Sequence, residues 1–202
     1  MVMTDDLDGR RLRRERNREA VVDALLELYR EGNFSPSSAQ ISERAGSSPR
    51  SLFRYFDDVD DLCGEAIRRQ EELARPMIAI GATASAPFGD RVAALVASRV
   101  ALFETTGPVG QVARIRAPFQ PLIAAELAQG RTYLRNQIKR LFATELAALD
   151  PARATAALAG VDVLCSYESY QLLRGDQGHD REQATELLVV AVSALFGGDR
   201  PG

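Results

Sequence analysis

The chain has 202 residues, 46% hydrophobic and 26% charged, with a formal net charge of −3, an ordinary balance for a globular protein able to bury a core. Cys63 and Cys165 are too few and too far apart for a zinc site or a disulfide framework, so buried free thiols are expected, with no metal and no cofactor. The acidic start MVMTDDLDGR lacks the apolar core of a signal peptide, and no run of eighteen apolar residues occurs, so a cytoplasmic protein without a membrane span is expected.

Ala, Leu, Arg and Glu dominate and no strand-like alternation is sustained, which favours helices throughout. Residues 1–9 read as a disordered lead-in. From about Arg10 to Glu31 the apolar positions Val22, Leu25, Leu26 and Tyr29 follow helical spacing, and Gly32-Asn33 stops the helix. A short helix capped by Ser37 or Ser38 runs to Ala45 and ends at Gly46. Ser48-Pro49 then restarts a helix, an N-cap hydroxyl followed by proline at the first helical position, extending to about Phe56. Asp57 or Asp58 caps a fourth helix, with Asp60 and Asp61 favourably placed in its first turn, running to Pro76 or beyond.

Gly81–Pro87 reads as a linker. A helix follows from near Gly89-Asp90 to about Glu104, then a turn at Thr105–Pro108 and a short helix to about Arg116. Leu122–Leu149 reads as one long helix. Asp150-Pro151 opens another to about Leu173, Gly175–Gly178 is a loop, and a last helix covers Arg181–Phe196 before Gly197-Gly198.

Two short helices joined by a tight glycine turn are the parts of a helix-turn-helix. At 100° per residue, Leu52, Phe53 and Phe56 share the side expected to pack on the first two helices. Ser51 and Arg54 lie opposite, with Arg50 and Tyr55 on the flanks. Such a face suits major-groove reading, because an arginine fork matches guanine O6 and N7; a small helix with a solvated polar face is the alternative. Bulk charge argues mildly the other way: residues 1–62 hold ten Arg against thirteen Asp and Glu. Placement matters more, since six Arg (10, 11, 13, 14, 16 and 18) crowd one segment opposed only by Glu15.

The segment GNFSPSSAQISERAGSSPRSLFRYFDDVDDL (Gly32–Leu62) resembles the N-terminal domain of tetracycline-repressor (TetR) family regulators. The resemblance lies in Ile41-Ser42, Ala45-Gly46, the Ser-Pro restart, Leu52-Phe53-Arg54-Tyr55-Phe56, and the acidic fourth-helix start with Leu62. It implies an all-α protein of about nine helices: a three-helix DNA-binding domain over residues 10–62, with the helix-turn-helix at about 37–56, and a helical regulatory and dimerisation domain over 63–202. It also implies DNA contacts from Ser37, Ser38, Gln40, Ser48, Arg50, Ser51, Phe53, Arg54 and Tyr55. Three positions depart from the family pattern. Ser47 stands where an apolar turn residue is usual, Val59 where Lys often meets a phosphate, and Phe53 where Tyr is frequent. Phosphate neutralisation therefore falls more to Arg10–Arg18 and the helix N-termini.

Leu187–Phe196 is apolar nearly all round, so that helix must be buried on more than one side, and Ala156, Ala157 and Gly160 permit close approach to the helix before it. A homodimer interface is expected at Ala157, Gly160, Val161, Leu164, Leu187, Leu188, Ala191 and Leu195; a core confined to one subunit is the alternative. Arg99 and the candidate ligand residues Phe103, Arg114, Arg116, Phe119, Tyr133, Tyr167 and Tyr170 are embedded in apolar stretches. Between residues 88 and 126 only Asp90, Glu104 and Glu126 oppose Arg91, Arg99, Arg114 and Arg116, which favours an anionic ligand. No catalytic set is legible: His179 stands in a glycine-flanked loop, and no enzyme activity is expected. The expected function is a repressor that binds a near-palindromic double-stranded DNA operator as a homodimer and is released by a small-molecule effector. A helical adaptor between proteins is the alternative; it leaves Arg50 and Arg54 idle.

Overall fold

The computed structural model describes residues 3–197, with side chains from Arg11 onward. Gly198, expected to share in ending the last helix, and residues 1–2 of the expected lead-in lie outside the described residues. Within them the fold is all-α, with ten α-helices: α1 Met3–Arg30, α2 Ser38–Arg44, α3 Pro49–Leu52, α4 Val59–Ala74, α5 Phe88–Arg116, α6 Pro121–Leu141, α7 Ala143–Ala148, α8 Pro151–Leu164, α9 Tyr167–Gln171 and α10 Arg181–Leu195. Arg75–Ile78 adds a 3₁₀ turn after α4, and Leu172–Asp176 widens into a π turn after α9.

Residues 3–9 are helical, contrary to the disordered lead-in expected. The long helix expected over Leu122–Leu149 is two, because Phe142 leaves helical geometry (φ −111°, ψ 26°) while its side chain is fully buried. The helix expected to reach Leu173 stops at Leu164. Ser166 then caps α9 through its hydroxyl, accepting from the Ser169 N–H at 3.2 Å. In α5 the expected turn is concentrated at Gly107 (φ 37°, ψ −127°), where a side chain would be strained, and Pro108 resumes the helix without needing an N–H partner.

The chain divides into two compact units. Unit 1 comprises the residues through Leu73 together with Thr106–Ile123, more of the chain than residues 10–62. Its buried residues include Val22, Leu25, Leu26 and Tyr29 of α1, Ile41 of α2, Leu52 of α3, Phe56 just beyond it, Leu62 and Ile67 of α4, and Val109 and Val112 of α5. Each such side chain contributes about 1.5–3 kcal/mol by leaving water. The Arg116–Asp60 ion pair joins the Thr106–Ile123 segment to the first turn of α4.

Unit 2 comprises Ala74–Thr105 and the residues from Ala124 onward. One buried cluster holds it together, drawing Val92, Leu95, Val96 and Phe103 from α5, Ile138 from α6, Val161 from α8, and Leu188 and Val192 from α10. Phe88, Phe142 and Phe196 meet with ring centroids 4.9–5.9 Å apart. Arg91 crosses this apolar region, and each of its three guanidinium nitrogens is hydrogen-bonded. Its Nε donates to the Ala86 carbonyl at 2.9 Å, Nη1 to the Leu141 carbonyl at 2.7 Å, and the guanidinium forks onto the Glu145 carboxylate.

Among the described residues, Phe88–Arg116 is the one helix long and apolar enough to cross a bilayer; half of its apolar window is buried within the chain, and Gly107 interrupts it.

Candidate nucleic-acid interface

The helix-turn-helix is built by local hydrogen bonds that its sequence dictates. Ser37 caps α2: its hydroxyl accepts from the Gln40 N–H, and the Gln40 side chain accepts from the Ser37 N–H at 2.9 Å. This reciprocal box satisfies two otherwise orphaned donors. At the other end Gly46 (φ 61°) turns the chain left-handed, the Gly46 N–H donates to the Glu43 carbonyl and the Ser47 N–H to the Ser42 carbonyl at 2.9 Å. That is the pattern in which glycine closes a helix with the sharpest reversal.

Ser48 then caps α3, accepting from the Ser51 N–H at 3.3 Å, and its hydroxyl also meets Ser51 Oγ at 3.0 Å. Both ends of the turn are therefore fixed. The seat of the turn is less complete: Ser42 Oγ and Ser47 Oγ are buried without a hydrogen-bond partner. An apolar residue at position 47 would carry no such penalty.

The short helix α3 shows two faces, with one reversal of expectation. Leu52 and Phe56 are buried, but Phe53 is 50% exposed and does not pack into the core. Four residues make only about one turn. Beyond Leu52 the backbone follows bonds from Arg54 N–H to Ser51 O and from Tyr55 N–H to Leu52 O, a tighter winding than 100° per residue. Phe53 therefore joins Arg50 and Arg54 on the exposed side.

Arg54 stacks 5.0 Å over the Tyr55 ring and donates to its hydroxyl at 2.6 Å. Asn17 on α1 donates to the same hydroxyl at 3.4 Å. The Asn17 bond, followed by that of Arg54, holds the Tyr55 hydroxyl below the ordinary tyrosine range. Asn17 is not singled out by the sequence; its signal there is a place within the arginine run, one turn before Val21. Arg18 lies over the Phe56 ring at 5.0 Å and pairs with Glu65 at 3.1 Å, whereas Arg11, Arg13, Arg14 and Arg16 are exposed along α1. The Arg10 side chain lies outside the described residues.

The acids at the start of α4 are largely employed. Asp58 Oδ1 caps the helix through the Asp61 N–H at 2.8 Å, Asp61 Oδ2 accepts from the Asp57 N–H, and Asp60 pairs with Arg116. Nearby, Tyr29 Oη and Cys63 Sγ are 3.0 Å apart and buried, and burial pushes both groups up.

The residues expected at a ligand site are divided between the two units. Phe103, Tyr167 and Tyr170 meet in unit 2, with the Phe103 ring centroid 5.8 Å from each tyrosine. Tyr170 donates to Glu104, and burial together with that carboxylate pushes its hydroxyl up to about 12. Tyr133 is half exposed. Arg114, Arg116 and Phe119 belong to unit 1: Arg116 is engaged by Asp60, Arg114 donates to the carbonyl of Gly110 at 3.0 Å, and Phe119 is 83% exposed.

Of the residues expected at a dimer interface, Ala157, Val161 and Leu188 are instead buried within the subunit. A Cβ on Gly160 would come within 2.8 Å of Leu195 Cδ1, so this glycine admits α10 of its own chain. Leu164, Ala191 and Leu195 are half-buried and Leu187 is exposed. The outward apolar face lies one step round: Ala156 and Val163 on α8, with Leu187, Val190 and Ala194 on α10.

No family model matches the chain, and no curated protein matches it. Among solved structures, the chain is similar to the crystal structure of a transcriptional regulator from Rhodococcus sp. Rha1, with a TM-score of 0.63 and 17% identity over 92% of this chain and 96% of that one. The two share an all-helical fold along nearly their whole lengths.

Proposed function

We infer that this chain is a DNA-binding transcriptional regulator of the TetR type, a cytoplasmic repressor that acts as a homodimer and is released by a small-molecule effector. The observation that carries the reading is the exposed face of the helix-turn-helix. Arg50, Phe53 and Arg54 project outward from a turn whose two ends are pinned by Ser48 and the Gly46 reversal. An arginine fork presented this way pairs with guanine in the major groove, while Ser37, Ser38, Gln40, Ser48, Ser51 and Tyr55 supply phosphate and base-edge contacts. The exposed arginines of α1 add the charge that displaces counterions from the duplex. The likeness of fold to a transcriptional regulator supports the same reading.

The apolar face on α8 and α10 supports the dimer. Val163 and Val190 are 62% and 69% exposed, and a second copy would cover them in a two-fold arrangement in which the same patch meets itself. A two-fold dimer reads two half-sites about one helical turn apart. Selection of bound duplexes from a random DNA pool tests this: a near-palindrome with that spacing is expected. Recovery of no enriched sequence would overturn the reading and favour the adaptor.

A further inference from the structure

Arg91 and Arg99 lie on the same helix, eight residues apart, and both are buried in unit 2, yet their charges are treated differently. Arg91 has the Glu145 carboxylate. Arg99 is 0% exposed and, among the described residues, no carboxylate pairs with it directly. Its partners are neutral: Nη2 donates to the Leu134 carbonyl at 3.3 Å and to Gln137 Oε1 at 3.0 Å, and Nη1 lies 3.5 Å from Ser98 Oγ. Its Nε–H has no hydrogen-bond partner. Asp162, the acid whose field reaches it, is paired instead with Arg135 at 3.9 Å. Burying a guanidinium is costly unless a counter-charge and filled donors offset the loss of water, and this one has no directly paired acid and one unfilled donor.

We propose that Arg99 anchors a small organic carboxylate within unit 2, and that this is the chemical class of the effector; the proposal rests on the reading of the chain as an effector-released regulator. A planar carboxylate matches the guanidinium fork with two parallel hydrogen bonds. Val96 and Phe103, three residues before and four residues after Arg99 on α5, share its face of the helix and belong to the buried apolar cluster of unit 2, which suits a hydrocarbon body on the ligand. A singly charged group is also cheaper to desolvate there than a doubly charged phosphate.

Gln137 supplies the consequence of binding. Its Oε1 accepts from Arg99 while its Nε2 donates to the Ile78 carbonyl at 3.0 Å, and Ser98 holds the neighbouring Met77 carbonyl at 2.9 Å. A carboxylate that takes the Arg99 fork displaces Gln137 Oε1 and loosens its hold on the 3₁₀ turn that follows α4. Gln137 is thus a positioning residue between ligand and turn.

The test uses the full chain and titration calorimetry with five probes: benzoate and octanoate, each against its neutral amide, and inorganic phosphate. Saturable binding of at least one carboxylate is expected, with its amide at least about tenfold weaker. Arg99→Met should abolish that binding. Gln137→Glu, which gives Arg99 an internal carboxylate of nearly the same shape, should abolish it too and should raise the thermal midpoint. The comparison of acid with amide needs no variant, so it survives a misfolded Arg99→Met. Binding of neither carboxylate, equal binding of an amide, retention of binding by folded Arg99→Met, or inorganic phosphate binding as tightly would each overturn the proposal. Carboxylate binding by a chain that selects no duplex would refute the regulator while leaving the Arg99 site intact. Duplex selection without carboxylate binding would refute the Arg99 site alone.

Discussion

Leu52 and Phe53 are adjacent and both apolar, yet the structure gives them opposite roles, so replacing each by alanine separates its account from one based on hydrophobicity. Leu52 is fully buried beneath a helix of only four residues. A helix that short has almost no stability of its own, so packing and its Ser48 cap hold it in place. Truncating a fully buried leucine costs about 2–5 kcal/mol once the cavity is included. With a urea slope of about 2 kcal/mol per molar, the midpoint should fall by about 1–2.5 M. Phe53 is half exposed, and its truncation should cost no more than about 0.5 kcal/mol, as surface changes usually do. Urea denaturation followed by circular dichroism measures both, with hydrogen exchange of the 38–56 amides reporting on the affected segment. Equal destabilisation by Leu52→Ala and Phe53→Ala would refute the assignment of faces on α3.

Ser42 Oγ is buried and unpartnered, so Ser42→Ala should raise stability by about 1 kcal/mol, seen as a higher thermal midpoint; a lower one would show that the hydroxyl has a partner. The Arg91 hydrogen bonds hold the Glu145 carboxyl below the ordinary glutamate range. Because the folded value is the lower one, the stabilisation is complete above about pH 4.3, the unperturbed glutamate value, and is lost as pH falls below it. Glu145→Gln should flatten the acid limb of the stability profile in that range, and an unchanged limb would count against the pair. Val190→Asp should convert dimer to monomer in sedimentation without loss of helicity, whereas Leu188→Asp should unfold the subunit; a dimeric Val190→Asp protein would rule this face out.

The parts of the fold that were legible in the sequence are those set by local chemistry. Ser48-Pro49 and Asp150-Pro151 start helices where they stand, Asp150 accepting from the Ala152 and Arg153 N–H groups, and Gly46 ends one. The breaks at Phe142 and Ser166 were not legible by the same logic. Phe142 carries no Gly or Pro signal, and tertiary burial of its ring outweighs helix propensity there. Ser166 does carry a capping signal, hidden because the apolar pattern runs through it.

Which residues of α8 and α10 face outward is not legible for another reason. A helix apolar nearly all round has no phase, so periodicity cannot tell the side facing the subunit core from the side facing out. Only packing distinguishes Leu188 from Val190. At α3 Arg50 and Arg54 are exposed and Ser51 is half-buried, while Phe53 lies outward, away from the side that a helical wheel gives it, because a helix of one turn does not sustain the wheel. The uneven treatment of Arg91 and Arg99 was beyond the sequence altogether, since Glu145 is 54 residues from Arg91.

Fluorescence anisotropy with a duplex selected by the protein, comparing the parent chain with Arg50→Ala/Arg54→Ala, tests DNA reading most directly. Each arginine–base pairing is worth about 1–3 kcal/mol. Losing both therefore costs about 2–6 kcal/mol per half-site, at least about thirtyfold in affinity, with circular dichroism and oligomeric state unchanged. A correctly folded double variant that binds the duplex as tightly as the parent would contradict the account.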